Sequence, residues 1–143
     1  ANYYADQGLD GFANWYTIQA QEERAHAMLF LQYLQNNGEK VTLEAIAKPD
    51  KEFSCHRCAL EVGYEHEQYV TSLINTIYEA AYAVKDFRTM QFLDWFVKEQ
   101  GEEEKNADDM LKKYDLYGSD PKGLYSLNSE LAARGYTAPS LTL

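Results

Sequence analysis

The chain has 143 residues and a mass of 16.4 kDa, enough for one domain, and 45% hydrophobic residues supply a core and exclude general disorder. Its 13 Lys and Arg stand against 23 Asp and Glu, a formal charge of -10 that argues against nucleic acid as the main partner and favours cations. No run approaches the roughly 20 apolar residues of a membrane span, and no basic-then-apolar signal segment opens the chain, so the expectation is a soluble, cytoplasmic protein with no membrane partner.

Three prolines and eight glycines leave long uninterrupted stretches, and helical periodicity fills them. The first segment spans about residues 9–36, with a stripe of Leu9, Phe12, Tyr16, Gln19, Glu23, His26, Phe30 and Tyr33, and Asn36, Asn37 and Gly38 end it. A linker of about residues 38–53 follows. At roughly 3.3 Å per extended residue it reaches on the order of 50 Å, long enough to run beside a helix of about 29 residues and return the chain parallel to the first segment.

The second segment, about residues 55–84, begins near Ser54 as N-cap and has the stripe Leu60, Gly63, Glu67, Val70, Ile74, Ile77, Ala81 and Val84. The third, about 87–116, starts at Asp86 and reads Thr89, Leu93, Phe96, Gln100, Glu103, Ala107, Met110 and Tyr114 before Gly118. With almost no loop at Lys85 and Asp86, these two must fold back as a helical hairpin. Ser119 or Asp120 can cap a short helix over 121–134, with Pro121 in its first turn, which should pack on the bundle end or on another subunit. The tail, 136–143, has little pattern and is expected to be loosely held. One all-α domain, a bundle with one long crossover and a short fifth helix, accounts for the whole chain.

The anomaly is polar side chains on apolar stripes. A carboxylate buried without compensation costs several kcal/mol, so carboxylates on three inner faces call for a cation among them. Glu23, Glu67 and Gln100 each lie roughly 18 to 21 Å into their helices, so all reach mid-bundle. Glu23 and His26 are spaced i, i+3, and Gln100 and Glu103 repeat that spacing. Hard oxygen ligands with a single imidazole suit iron or manganese better than the thiolate-rich sites of structural zinc.

The stretches Gln21-Glu22-Glu23-Arg24-Ala25-His26, Tyr64-Glu65-His66-Glu67-Gln68 and Glu99-Gln100-Gly101-Glu102-Glu103-Glu104-Lys105 resemble the iron-binding stretches of non-haem bacterial ferritins, a ferritin-like di-iron family. The resemblance runs to about Leu131 and includes Gly123-Leu124-Tyr125. It implies that Glu23 bridges two irons, His26 completes the first, and Glu67 and Glu103 bind the second with Gln100 beside it. It also implies that Glu22, Glu99 and Glu102 join Glu103 at a third iron position, although acidic runs beside a stripe are more often solvated faces. The family's activity, oxidation of Fe(II) by dioxygen with storage of ferric mineral in a hollow homo-oligomer of 24 subunits, is the expectation that follows.

Haem-binding relatives carry a second Glu-x-x-His where this chain has Gln100 and Glu103, and a haem-ligating Met where it has Arg24, so no haem is expected. The competing expectations are a di-iron or di-manganese enzyme acting on peroxide or another small substrate, and an acidic helical protein without metal. The family's first helix supplies another carboxylate to the first iron. Here only its last turn, about Ala1 to Tyr4, falls in the chain, which has no initiator Met and reads as a fragment or processed form.

Cys55-His56-Arg57-Cys58 opens the second helix. The pair is too close to staple distant parts of a secreted scaffold. With three potential ligands it falls short of a structural zinc site, and two reduced thiols are expected, with a redox or intersubunit metal role as the alternative. Trp15, Tyr16, Trp95 and Phe96 read as core or subunit contacts and receive no catalytic role.

Overall fold

The computed structural model describes residues 1–143 and is all-α, with helices α1 (Asn2–Asp6), α2 (Asp10–Asn36), α3 (His56–Ala83), α4 (Phe87–Tyr117) and α5 (Pro121–Leu131). No helix is long and apolar enough to cross a membrane. The chain divides into two compact units, Ala1–Glu52 with Tyr125–Leu143, and Phe53–Leu124.

In the first unit, α1 buries Tyr4, whose ring stacks on Phe12 and Tyr16 with centroids 5.0 and 5.7 Å away. α2 follows after Gly8, which holds φ +73° in the left-handed region that closes the short helix. The N-cap position of α2 is Leu9, which has no side-chain acceptor to offer. Two of its first N–H groups are met from the far end of the chain. Asn128 Oδ1 accepts from Gly11 N at 2.8 Å and Phe12 N at 3.2 Å. The approach requires glycine at position 11, since a Cβ there would stand 1.7 Å from the Asn128 carbonyl oxygen.

Leu127 and Leu131 are buried on the same helix as Asn128. α5 stops at Leu131, three residues short of the expected Arg134. Asn14 Nδ2 donates to the carbonyl oxygens of Leu131, Ala132 and Arg134, giving the unwinding chain partners outside the helix. At its other end α2 closes in a Schellman turn: Gly38, at φ +74°, donates to Gln35 O and Glu39 N to Leu34 O. Residues 39–53 carry no regular secondary structure.

The second unit is the α3–α4 hairpin. α3 is capped by Cys55, one residue beyond the expected Ser54: the Cys55 sulfur accepts from Cys58 N at 3.0 Å. α3 also ends in a Schellman turn, with Lys85 N bonded to Tyr82 O and Asp86 N to Ala81 O, but the left-handed position, φ +59°, is a lysine. Asp86 then serves α4 as well, since its carboxylate accepts from Thr89 N and Thr89 Oγ1. That bonding with Thr89 holds the Asp86 carboxyl below the usual carboxylate range.

Buried Leu60, Ile74, Phe92, Leu93, Phe96 and Met110 supply most of the hairpin's apolar core. Each such burial is worth about 1.5–3 kcal/mol before entropy is counted. Polar rungs cross at three levels. Arg57 grips Asp115 with two bonds of 2.7 and 3.1 Å, Thr71 Oγ1 donates to Glu104 at 2.5 Å, and Tyr78 OH donates to Asp94 at 3.0 Å. The Arg57 bond lowers the Asp115 pKa, and the Asp94 bond raises that of Tyr78.

Two stripe positions depart from expectation: Ile77 and Val84 are 42% and 76% exposed. Val84 lies past the last residue of α3 as its C-cap, and Ala81, between the two, stays buried at 6% exposure.

The cysteines correct the expectation of two reduced thiols. Cys55 and Cys58 are joined by a disulfide, and no free cysteine remains.

Candidate metal centre

The candidate residues sit inside the long helices, where each has a backbone already satisfied by the helix and only its side chain left to place. On α2, His26 is buried, 8% exposed, and its Nδ1 lies 3.6 Å from Glu23 Oε2. One turn earlier, buried Gln19 donates Nε2 to Glu23 Oε1 at 3.0 Å. The i, i+4 and i, i+3 offsets put amide, carboxylate and imidazole on one face in that order.

Gln19 is itself oriented. Its Oε1 accepts from Arg134 at 2.9 Å, which fixes the amide with its NH2 end toward Glu23. The Arg134 guanidinium lies 4.0 Å from the centroid of the Trp15 ring, donates to Trp15 O at 3.3 Å, and forms an ion pair with Glu22. Glu22, expected at a third iron position, thus has its carboxylate bound to an arginine, and its side chain is 13% exposed.

In the hairpin, Gln100 and Glu103 on α4 are both buried, at 5% exposure. Gln100 Nε2 donates to Glu67 O at 3.2 Å, Glu67 Oε2 at 3.4 Å and Thr71 Oγ1 at 3.3 Å. A backbone carbonyl can only accept, so the nitrogen end of the amide is the one facing α3. Gln100 therefore ties the main chain and carboxylate of Glu67 to α4, and Thr71, one turn on, extends the network to Glu104. Glu99 is half-buried, whereas Glu102 is exposed and pairs with Lys98 at 3.7 Å. No group of three His, Cys, Asp or Glu side chains in the structure meets the spacing needed to hold one metal ion.

The structure thus joins Glu23 with His26 on α2, and Glu67 with Gln100 across the hairpin, and buries Glu103 on the same helix as Gln100. Thr71 is a positioning group that sequence reading passed over, and Gln19 is a second, read there only as a stripe position. Both stand one helical turn from a named carboxylate, and that i, i+4 offset was the available signal. Arg134 had none, being 112 residues from Glu22.

Known proteins similar to this chain define its family. The model of the ferritin-like domain matches residues 1–117. A probable bacterial non-heme ferritin-like protein of Haemophilus influenzae is 35% identical over 125 residues, 87% of this chain and 76% of the relative. The bacterial non-heme ferritin of Staphylococcus saprophyticus is 37% identical over 136 residues, 95% of this chain and 81% of the relative. Among solved structures, a closed form of the Archaeoglobus fulgidus ferritin engineered by site-directed mutagenesis superposes with a TM-score of 0.93 at 41% identity, covering 95% of this chain and 83% of that one. The chain belongs to the ferritin family, and its all-α, ferritin-like fold is the one its sequence led us to expect.

Proposed function

We propose that the protein oxidises Fe(II) with dioxygen and stores the product as ferric mineral inside a hollow homo-oligomer of 24 subunits. Family membership supports iron storage as the general task. The observation that carries the finer reading is the burial of His26, Gln100 and Glu103 in the interior of helices otherwise packed through apolar side chains. An acidic side chain buried there becomes favourable when a cation is its partner.

Iron is the substrate. Glu23 bridges two Fe(II) positions, His26 completes the first, and Glu67 with Glu103 holds the second. Carboxylates favour the higher charge of Fe(III), and a shared bridge keeps two one-electron donors near a single dioxygen. Gln19 and Gln100 hold the bridging and terminal carboxylates by N–H donation. Glu22, Glu99, Glu102 and Glu103 form the third iron position, where Arg134 competes for Glu22. The net charge of -10 attracts cations, and Leu43, Ile46 and Phe87, each more than two-thirds exposed on the single chain, are covered by neighbouring subunits.

Anaerobic Fe(II) titration followed by an oxygen pulse tests the proposal. Hundreds of irons retained per particle support storage. About two per chain would leave a di-iron or di-manganese enzyme, a reading that Gln100 disfavours because it stands where such enzymes repeat a Glu-x-x-His. Glu103→Ala should slow the fast phase of oxidation by about tenfold or more, and Glu104→Ala, which loses only its bond with Thr71, by less than about twofold. Equal effects would place the iron on another face of α4.

A further inference from the structure

Nothing in iron storage uses the Cys55–Cys58 bridge. We propose that this pair is a redox-active disulfide that takes two electrons from a dithiol reductant by thiol–disulfide exchange, with Cys55 as the exposed, reacting sulfur. The bridge spans a sequence separation of three. So short a closure restrains little of the unfolded chain, and stabilisation gives a weak reason for its presence. The start of α3 is in any case pinned to α4 without it, through the two bonds of Arg57 to Asp115. The disulfide can therefore open while the helix end stays in place.

The two sulfurs differ. Cys55 is exposed and is the N-cap, its sulfur accepting Cys58 N–H, whereas Cys58 lies in the first turn, half-buried, with Ser54 Oγ 3.7 Å from its sulfur. A thiolate at Cys55 keeps that N–H and faces the positive end of a 28-residue helix, which lowers the pKa of such a thiol and stabilises the reduced state.

In the exchange, one thiolate of the reductant attacks Cys55 Sγ and the Cys55–Cys58 bond breaks. Cys58 leaves as a thiolate and takes up a proton. The second thiol of the reductant then attacks its own sulfur in the mixed disulfide and releases Cys55. The reductant leaves as a disulfide, oxidised by two electrons, and the protein carries two reduced cysteines.

Treating the folded, assembled protein with dithiothreitol should release two thiols per chain without loss of helical circular dichroism. Iodoacetamide at pH 7 should then label Cys55 at least about tenfold faster than Cys58, with a pH midpoint for Cys55 below the ordinary value of about 8.5. Cys58→Ser incubated with oxidised glutathione should accumulate the mixed disulfide on Cys55, while Cys55→Ser, which keeps an oxygen N-cap, should fold normally and form none. Absence of the bridge in air-equilibrated protein, reduction only after unfolding, or equal labelling of the two cysteines would overturn the assignment. None of these readouts involves iron, so they stand or fall apart from the storage reading.

Discussion

In the α3–α4 hairpin, the polar partners that join the helices lie 16, 33 and 58 residues apart in sequence, at its turn, its middle and its open end. In the other unit, α2 begins under an asparagine 117 residues away, and the carboxylate beside its proposed metal ligand is held by an arginine 112 residues away. The hairpin is built from contacts that its own turn enforces. The unit around α2 depends on contacts that form only when the chain's end returns to its beginning. The difference implies that losing the C-terminal segment would strip α2 of its cap and of its guanidinium clamp while leaving the hairpin's partners intact.

The most damaging test of that contrast is Gly11→Ala, which puts a methyl group onto the Asn128 carbonyl oxygen. It should cost about 3 kcal/mol or more in urea unfolding, far above the effect of a typical alanine at an exposed helical glycine. Gly101, with open space around its Cβ direction, is the control, and Gly101→Ala should be neutral or stabilising. Next comes Arg134→Ala, which removes the contact over Trp15 and the bonds to Gln19 and Glu22 and should cost about 2 kcal/mol. Arg134→Lys should recover little of it, since one ammonium cannot reproduce the fork. Tryptophan fluorescence would follow the change at Trp15, and an unaltered melting curve would show that the clamp is ornamental.

The smallest effect belongs to the hairpin. Asp86, Asp109 and Asp115 all have carboxyls held below their ordinary range, by bonds to Thr89, Lys105 and Arg57 respectively. A depressed native pKa gives stability that is complete above the unfolded value of about 3.9 and is lost as pH falls through the native one. Asp115→Asn should therefore lower the melting temperature slightly at pH 7 and flatten the acid limb below about pH 4. An acid limb identical to that of the unsubstituted protein would mean that the Arg57 rung is too solvated to matter.

What could be read from residue order follows the same division. Periodicity and breakers located α2, α3 and α4, and Asp86 and Asp120 announced their caps, because each of those signals acts within four residues. Polar positions on the stripes pointed to Glu23, His26, Glu67, Gln100 and Glu103; His26, Gln100 and Glu103 are buried, whereas Glu67 is half-buried and the Glu23 side chain is 43% exposed. The cap from Asn128, the need for Gly11 and the grip of Arg134 were invisible, because nothing local distinguishes them from ordinary surface residues. The state of Cys55 and Cys58 was misread for a different reason: spacing allows both a free pair and a bridge, and only geometry separates them.

The junction at Asp86 leaves the hairpin no slack. One side chain and one peptide N–H there close α3 and open α4 together. A single residue added inside the start of α4 would turn everything beyond it by about 100° about the helix axis, swinging Gln100 and Glu103 out of their buried positions. Grafted epitopes and length variants therefore belong among residues 47–53, past the Glu39 bond that closes α2 and past Leu43 and Ile46, where no helical hydrogen bond has to be surrendered to make room.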